Sequence, residues 1–214
     1  MKILEYGDGT AENILLQPVD DHDLALIENE IRLIHANTGK DFRLTAFLVD
    51  DWNRDLSPWK APAVFGKEAF GDGACGTLKE IIKYCEDGSR NDSGRRNYYI
   101  GGYSLAGLFA LWAACQSDRF CGAAAASPSV WFPGFTGYMR EHKIQSKSVY
   151  LSLGDREERT RNAVMATVGD RIRETYEILQ SQKISCILEW NEGNHFRDSD
   201  GRTAKAFSWV MTHP

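Results

Sequence analysis

Cysteine is scarce in this sequence of 214 residues, and its five copies lack the spacings that mark metal sites and disulfide frameworks. Their number is odd, no two form a Cys-x-x-Cys pair, and none lies next to a pair of histidines. This argues against a zinc site and against a fold held by disulfides. Because unpaired cysteine is commonly buried, most of the five are predicted to be small core residues: Cys75, Cys85, Cys115, Cys121 and Cys186.

An excess of either charge is also missing. The chain has 25 Lys and Arg against 30 Asp and Glu, a net charge of -5, and neither sign forms a block. A protein that binds nucleic acid or an anionic membrane surface usually concentrates positive charge. We therefore expect neither nucleic acid nor a membrane as a partner.

Long hydrophobic runs are absent too. The first residues, MKILE, reach an acidic residue at once, and no stretch is apolar enough for a signal peptide or a membrane-spanning helix. A cytoplasmic location is therefore expected. No repeat, low-complexity tract or linker divides the chain, and its length suits one hydrophobic core. We expect a single domain over residues 1–214.

Short apolar runs alternate with helical patterns along the chain, which is typical of a mostly parallel central sheet with helices on both faces. The later runs are apolar at successive positions, as expected of central strands buried on both faces. The sequence therefore predicts an α/β fold. The predicted strands are Ile3–Tyr6, Asn13–Gln17, Phe42–Val49, Tyr98–Gly101, Gly122–Ala126, Val149–Leu153 and Cys186–Trp190.

Apolar residues at steps of three and four predict the helices between these strands. Asp20 and Asp21 are candidates to cap the first of them. The segment Leu105–Cys115 is apolar nearly all round, which predicts a buried helix near the middle of the fold. The other helical faces are Leu24, Ile27, Ile31 and Ile34; Leu78, Ile81, Ile82 and Cys85; Met165, Val168, Ile172, Tyr176 and Leu179; and Phe207, Val210 and Met211.

The segment Tyr98–Leu108 runs from a predicted strand through a turn of small residues into the buried helix. This is the setting of a nucleophile elbow, in which a strained turn projects a serine hydroxyl at the start of a helix. The residues two before and two after the serine must be small, and Gly102 and Ala106 meet this requirement around Ser104. Ala106 departs from the Gly-x-Ser-x-Gly pattern by one methyl group. Ser104 is the candidate nucleophile, although so short a pattern also fits a chance turn.

The order of the residues downstream favours the catalytic interpretation, because in this setting an acid and then a histidine follow the serine along the chain. His195 lies in a loop after the last predicted strand and is the candidate general base. The other four histidines flank the first helix, lie in a polar stretch or lie next to the end of the sequence. These four positions fit worse than that of His195.

Three carboxylates follow the predicted strand Val149–Leu153, and one of them could accept the Nδ1–H of His195 and fix its tautomer. Glu157 is the first choice, because its side chain is long and the chain has room to turn before it. Asp155 is the second choice. The alternative is that all three are solvated charges, so that Ser104 and His195 would work without an acid.

An oxyanion hole is expected beside the serine. The N–H of Leu105, at the start of the buried helix, is free to donate to the oxyanion. A second donor is expected just after Asn13–Gln17, where the N–H groups of Val19 and Asp20 are candidates. Pro18 has no N–H and cannot donate.

Aromatic residues cluster where loops are expected to reach the carboxyl edge of the sheet. The segment Asp50–Gly73 is irregular and long for a structureless loop, and its aromatics either pack onto the core or line a pocket. Apolar walls are usual in small-molecule sites. An apolar substrate-binding wall near Ser104 is predicted from Trp52, Trp59, Trp131 and Phe132.

The second half of the sequence resembles the esterase D-like branch of the α/β-hydrolases, which includes siderophore esterases. Four segments carry the resemblance: GGYSLAG at 101–107, SPSVWF at 127–132, GDRE at 154–157 and GNH at 193–195. The resemblance implies an α/β-hydrolase fold, and the acid three residues after a strand-ending glycine implies Glu157. The first half of the chain matches weakly, so the substrate class does not carry over.

The resemblance implies a serine hydrolase that acts on small-molecule carboxylic esters through an acyl-serine intermediate, and this chemistry needs no metal or organic cofactor. A thioesterase, an acyltransferase or a peptidase would use the same serine and histidine, so these chemistries remain open. A hydrolase-fold binding module without catalysis is a further alternative. The sequence also leaves open whether the chain forms a homo-oligomer.

Overall fold

The computed structural model describes residues 1–91 and 96–213. Its strands are β1 (Lys2–Gly7), β2 (Asn13–Val19), β3 (Arg43–Leu48), β4 (Asn97–Tyr103), β5 (Phe120–Ala126), β6 (Ser148–Gly154) and β7 (Ser185–Asn191). They form a sheet in the order β1-β3-β2-β4-β5-β6-β7. β1 is antiparallel to β3, and the other neighbouring pairs are parallel. Every predicted strand is present, and the predicted α/β fold is confirmed.

Helices connect the parallel strands. They are α1 (Asp21–Thr38), α2 (Trp52–Asp55), α3 (Ala74–Asn91), α4 (Leu105–Gln116), α5 (Phe135–Glu141), α6 (Val168–Ser181) and α7 (Ser199–Thr212). The sequence did not predict α2 and α5, because helices of four and seven residues are too short to repeat an apolar step. Within the described ranges, no helix is both long enough and apolar enough to cross a membrane.

The helices cover both faces of the sheet, and each face has its own apolar core. α1 and α7 enclose one core, which includes Ile27 and Phe207. α3, α4 and α6 enclose the other, in which Ile81 packs. Tyr98 and Tyr99 are neighbours in β4 but lie in different cores, because successive strand residues point to opposite faces. The two cores hold the strand ends in fixed positions.

Two predicted helices have the expected character. In α4 every residue from Leu105 to Cys115 is buried, as the apolar composition indicated. α1 begins at Asp21 with Asp20 as its cap: the Asp20 carboxylate accepts the N–H of Asp23 at 2.9 Å. The Asp23 carboxylate accepts the N–H of Asp20 at 3.4 Å, which completes a capping box.

The prediction for β7 was wrong in one respect. The run Cys186–Trp190 was expected to be a central strand buried on both faces, but β7 lies at the edge of the sheet beside β6. Trp190 is 40% exposed, and the guanidinium of Arg173 lies 4.9 Å from its ring centroid. The run is apolar because Cys186 and Leu188 pack against one core and Ile187 against the other, although the strand lies at the edge.

The helical face from Met165 to Leu179 was expected to lie on one helix, but α6 begins only at Val168. Met165–Thr167 forms a separate 3₁₀ turn. The side chain of Asn162 accepts the N–H groups of Val164 and Met165 at 3.0 and 3.1 Å, so it caps this turn.

The expectation that most cysteines belong to the apolar interior is supported for four of the five, which lie in or pack against the two cores. Cys85 and Cys115 are buried, Cys121 and Cys186 are partly buried, and Cys75 is exposed. None of the five forms a disulfide in the described structure. Cysteine is small and weakly polar, so both buried and partly exposed positions accept it.

Gly101 marks a close approach of β4, β5 and α7. A Cβ atom there would lie 2.7 Å from three atoms: the Cβ and carbonyl oxygen of Ala124 and the Cζ of Phe207. Gly101→Ala is therefore expected to lower the free energy of unfolding by roughly 1–3 kcal/mol, the usual cost of overpacking a filled core. Urea denaturation of the two proteins measures the difference.

The matched control is Gly137→Ala in α5, where a Cβ atom would meet nothing within 4 Å. Alanine there should raise the free energy of unfolding by about 0.5–1 kcal/mol, because it suits a helix better than glycine does. An equal urea midpoint for Gly101→Ala and the unaltered protein would contradict the close approach.

Candidate active site

Ser104 is the residue between the end of β4 and the start of α4. Its backbone has φ 56° and ψ −117°, a conformation that is unfavourable for a residue with a side chain. Its N–H donates to Ala126 O at 3.0 Å, and its carbonyl oxygen accepts the N–H groups of Leu108 and Ser129 at 3.1 and 3.0 Å. These bonds hold the strained turn and expose the serine side chain in front of the sheet.

The small residues around Ser104 are required by the turn. Gly102 has φ +155°, and a Cβ atom added to it would lie 2.6 Å from the Cβ of Ala106. Real Cβ atoms do not approach so closely, so no larger residue fits at position 102. Ala106 itself is accommodated, which explains how the chain tolerates this departure from the Gly-x-Ser-x-Gly pattern.

The structure brings Ser104, His195 and Glu157 into one hydrogen-bonded series. Ser104 Oγ lies 2.9 Å from His195 Nε2, and His195 Nδ1 lies 2.7 Å from Glu157 Oε2. The serine follows β4, the glutamate follows β6, and the histidine lies in the loop between β7 and α7. In parallel strands these carboxyl ends share one edge of the sheet, which is why residues far apart in sequence meet here.

Glu157 is almost completely buried, with 4% of its side chain exposed. Its Oε1 accepts three hydrogen bonds, from Gly154 N at 2.7 Å, Ser127 Oγ at 2.8 Å and Arg202 Nη1 at 2.9 Å. Burial by itself raises the pKa of this carboxyl, but the bond and charge of His195, followed by the bonds from Gly154 and Ser127, lower it overall. Glu157 is therefore held as a carboxylate.

Asp155, the second choice for the acid, has a different place. Its Oδ1 accepts the N–H of Gly193 at 2.8 Å, and 52% of its side chain is exposed. This bond ties the turn after β6 to the loop that carries His195. Of the two candidate acids, Glu157 is the one that contacts the histidine.

Four further side chains surround the series, and the sequence did not assign roles to them. The hydroxyl of Tyr103 donates to His195 O at 2.8 Å, and burial together with the nearby Glu157 charge raises the pKa of Tyr103 to about 12, so it keeps its proton. Ser129 Oγ lies 3.2 Å from Ser104 Oγ. Ser127 and Arg202 both contact Glu157.

A signal for some of these residues was present in the sequence. Tyr103 directly precedes the candidate nucleophile, and Ser127 and Ser129 belong to the segment that carries the resemblance. Arg202 lies four and eight residues before Ala206 and Val210 and so shares the buried face of α7. An arginine on an apolar helical face is unusual enough to be a candidate for a buried ion pair.

Of the candidate donors of the oxyanion hole, Leu105 and Asp20 lie near the serine, and the role of all three remains a prediction. Leu105 is the first residue of α4, so its N–H has no acceptor within the helix. Val19 is the last residue of β2 and pairs with Leu48 in the sheet. Asp20 lines the cavity that contains Ser104, and its N–H takes part in the capping box of α1.

Ser104 opens into a cavity of about 290 Å³. The cavity is lined by Asp20, His22, Asp23, Trp52, Tyr103, Ser104, His195, Phe196 and Ser199. Of the four aromatic residues predicted to bind substrate, the structure brings Trp52 to this cavity. Phe196, which was not predicted, is 88% exposed at the same site. Its ring contacts the His195 ring edge-on at 5.6 Å.

The other three aromatic residues lie in a neighbouring cluster. Trp59 Nε1 donates to Pro133 O at 2.9 Å, and its ring lies 5.7 Å from that of Phe132. Phe132 and Trp131 are part of the apolar core beneath α4, and both line a second cavity of about 420 Å³. Their part in binding a substrate stays a prediction.

A metal site was not found in the described residues, where no three His, Cys, Asp or Glu side chains are placed to hold an ion. The site itself places a histidine beside the Ser104 hydroxyl and a carboxylate behind the histidine.

The strand order, the serine turn after β4 and the buried helix that follows define the α/β-hydrolase fold. The IroE-like serine hydrolase from Shewanella oneidensis superposes on it with a TM-score of 0.76 and 15% identity, over 97% of this chain and 74% of that one. The siderophore hydrolase EstA from Aspergillus nidulans gives 0.70 and 19%, over 97% and 85%. The Bacillus cereus carboxylesterase gives 0.65 and 16%, over 99% and 94%.

No protein-family model matches the sequence, and no curated protein matches it. The likeness to the three solved structures is therefore one of fold, at identities of 15 to 19%. It confirms the α/β-hydrolase fold that the resemblance in the second half of the sequence implied.

The contacts of the two carboxylates predict different effects of removing their charges. In Glu157→Gln an amide replaces the carboxylate beside Nδ1 and can stabilise the wrong imidazole tautomer. The rate at which a fluorophosphonate labels Ser104 should fall strongly, by up to about ten-thousandfold, as for the acid of a serine protease. Asp155→Asn should label within about twofold of the unaltered protein, because its Oδ1 can still accept the N–H of Gly193.

The labelling rate is measured by intact-protein mass spectrometry at several times. Circular dichroism of each variant serves as the control for folding. A severe loss in Asp155→Asn with a normal rate in Glu157→Gln would transfer the role to Asp155, and mild effects in both would favour a serine and histidine that act alone.

Proposed function

We propose that the protein is a serine esterase that hydrolyses small carboxylic esters through an acyl-serine intermediate. The observation that carries the proposal is the unbroken series from Ser104 Oγ through His195 to the buried Glu157, with contacts of 2.9 and 2.7 Å. Nucleophile, base and orienting acid are all within hydrogen-bond reach. Ser104, His195 and Glu157 are its proposed catalytic residues.

In the first half of the reaction, Ser104 Oγ attacks the ester carbonyl carbon while its proton passes to His195 Nε2. The carbonyl oxygen becomes an oxyanion, which the N–H of Leu105 stabilises together with a second donor, Val19 or Asp20. The bond from carbon to the alcohol oxygen then breaks, and the alcohol leaves with the proton from His195. The acyl group stays on Ser104.

In the second half, water attacks the acyl-serine and gives a proton to His195. The bond to Ser104 Oγ breaks, the serine recovers that proton, and the carboxylic acid leaves. Glu157 holds the tautomer of His195 with Nδ1–H toward itself and stabilises the imidazolium in both halves. The steps balance with ester and water alone, so this chemistry needs no metal or organic cofactor.

The solved structures with this fold support the reaction class. Their names give a serine hydrolase, a siderophore hydrolase and a carboxylesterase. The name of the carboxylesterase states hydrolysis of an ester. We carry over this reaction and not the siderophore substrate.

The cavity at Ser104 supports a small uncharged ester as substrate. Trp52 and Phe196 offer aromatic surface, while Asp20 and Asp23 place carboxyl groups on the α1 side. Its described lining includes no lysine or arginine. Burial, followed by the charge of Asp20, raises the pKa of Asp23 to about 7, so this wall becomes more negative as the pH rises through neutrality. An anionic ester is disfavoured there.

The first test is covalent labelling. A fluorophosphonate should form one adduct per chain on Ser104, because among the described serines this one has His195 at its hydroxyl. Peptide mass spectrometry identifies the labelled residue. Ser104→Ala should fold normally, take up no label and lose ester hydrolysis.

An adduct on Ser129 or another residue would contradict the assignment of the nucleophile. Absence of any adduct in a folded protein would favour a binding module without catalysis. Labelling at Ser104 with faster turnover of acyl thioesters than of matched oxygen esters would instead favour a thioesterase.

The charge of the cavity wall gives a second test. The ratio of kcat/KM for a sulfonated ester to kcat/KM for a matched neutral ester should fall as the pH rises through about 7, because Asp23 loses its proton there. The ratio cancels the titration of the catalytic groups, which affects both substrates. Asp23→Asn should remove much of this fall.

Glu28→Gln is the control, since Glu28 is an exposed carboxylate on the same helix. An unchanged fall in Asp23→Asn would assign the effect to another group of this wall and contradict the role of Asp23.

A further inference from the structure

Arg202 is a charged residue in the interior of the protein. It lies in the first turns of α7, and 1% of its side chain is exposed. The helix packs against β4, β5 and β6, so the guanidinium lies under the carboxyl edge of the sheet, where the strands end.

The guanidinium contacts the surroundings of all three proposed catalytic residues. Nη1 donates to Glu157 Oε1 at 2.9 Å, to Tyr103 OH at 3.0 Å and to Ser127 Oγ at 3.1 Å. Nη2 donates to the carbonyl oxygens of Glu192 and Asn194 at 3.2 and 3.1 Å. Glu157 is the acid, Tyr103 precedes the serine, and Asn194 precedes the histidine.

Burying this group is costly. A buried guanidinium must lose its hydration, and a buried ion pair often contributes no more stability than apolar residues of the same size. One donor, Arg202 Nε, also has no acceptor among the described residues. Stability alone therefore gives little reason for an arginine at this position.

The two oxygens of Glu157 are used differently. Oε1 accepts the bonds from Gly154, Ser127 and Arg202, while Oε2 accepts the bond from His195 Nδ1. Three donors on one oxygen fix the rotation of the carboxylate, so the other oxygen points at the histidine. The only full positive charge among those three donors is that of Arg202.

We propose that Arg202 is a positioning residue, which keeps Glu157 ionised and aimed at His195 and fixes the backbone of the loop that carries His195. This inference rests on the proposed esterase function. Arg202 does not contact Ser104 Oγ or the cavity, so it acts through Glu157 and through the carbonyls of Glu192 and Asn194.

Other titratable side chains surround Glu157 and His195. Tyr103 faces this pair from β4, Arg202 from α7, and Asp155 lies in the same turn as Glu157. Asp20, His22 and Asp23 face the cavity from α1 and the residue before it. Among the described residues, Arg202 is the one lysine or arginine whose nitrogen lies within 4 Å of the Glu157 carboxylate, so removing it leaves this carboxylate without a permanent positive charge in contact.

Arg202→Met tests the inference. The variant keeps the volume of the alkyl chain and removes the charge. With a neutral ester, kcat should fall by roughly ten- to a hundredfold with little change in KM. Losses of this size are seen when the hydrogen-bond partners that orient metal-binding residues are removed. The acidic limb of the kcat/KM profile should move to higher pH, because loss of the positive charge at Glu157 Oε1 raises the pKa of this carboxyl, which is then protonated at a higher pH.

Two further variants separate positioning from a merely structural role. Arg202→Lys keeps the charge, so its acidic limb should stay near that of the unaltered protein while kcat recovers in part. In a Glu157→Gln background, Arg202→Met should cause a smaller loss of kcat than in the unaltered protein, because the carboxylate charge that Arg202 faces is already absent. Lys205→Met is the control for removing a positive charge from α7, since Lys205 bonds to Glu189 and Asn191 at the partly exposed side.

An unchanged pH profile and kcat in Arg202→Met would overturn the inference, and so would an equal loss in both backgrounds. If Arg202→Met does not fold, Arg202→Lys is compared in the two backgrounds, and equal losses again overturn it. Failure of the esterase proposal would appear separately, as absence of both labelling and hydrolysis in the unaltered protein.

Discussion

Ser104 joins β4 to α4 without a spacer, and this turn constrains the packing on both of its sides. A Cβ at Gly102 would collide with Ala106, and one at Gly107 would lie 3.0 Å from Gly102 O and 3.2 Å from Ala126 O. The helix must therefore rest directly on the strand ends, with small residues at the contact. A positive φ at a serine costs about 1–3 kcal/mol and persists only where the surroundings determine it. Here the burial of α4 and the hydrogen bond from Ser104 N to Ala126 O hold the serine in this conformation.

Once this turn is in place, the parallel sheet determines where the other groups must come from. β5 and β6 follow β4 in space, and the segments after them bring Ser127, Ser129 and Glu157 to the same edge as the serine. β7 is adjacent to β6, so its following loop reaches across with His195. Bonds between the loops, such as Asp155 Oδ1 to Gly193 N, fix their separation. The arrangement depends on strand order and needs no long excursion of any loop.

Much of this was predictable because strand order in this fold corresponds to the order of motifs along the chain. Ser104, Glu157 and His195 could be selected from local context, and the strands from their apolar runs. Arg202 could not be assigned a role, because no local pattern shows that a residue 45 positions after Glu157 bonds to its carboxylate. The edge position of β7 was also missed, since an apolar run does not reveal its neighbours. Trp131 and Phe132 belong to an aromatic cluster that depends on side-chain packing between segments remote in sequence.

The contacts of the site also have a kinetic consequence. Ser104 and His195 are 91 residues apart, and Glu157 and His195 are 38 apart, so each bond closes a long loop of chain. The entropy of closing such loops must be offset before the contacts contribute, and folds rich in distant contacts form slowly. A partly folded chain, in which β4 and α4 had already formed, would still lack the histidine and the acid. During refolding, the contacts among Ser104, His195 and Glu157 would therefore form when the sheet is completed and not when it begins to form.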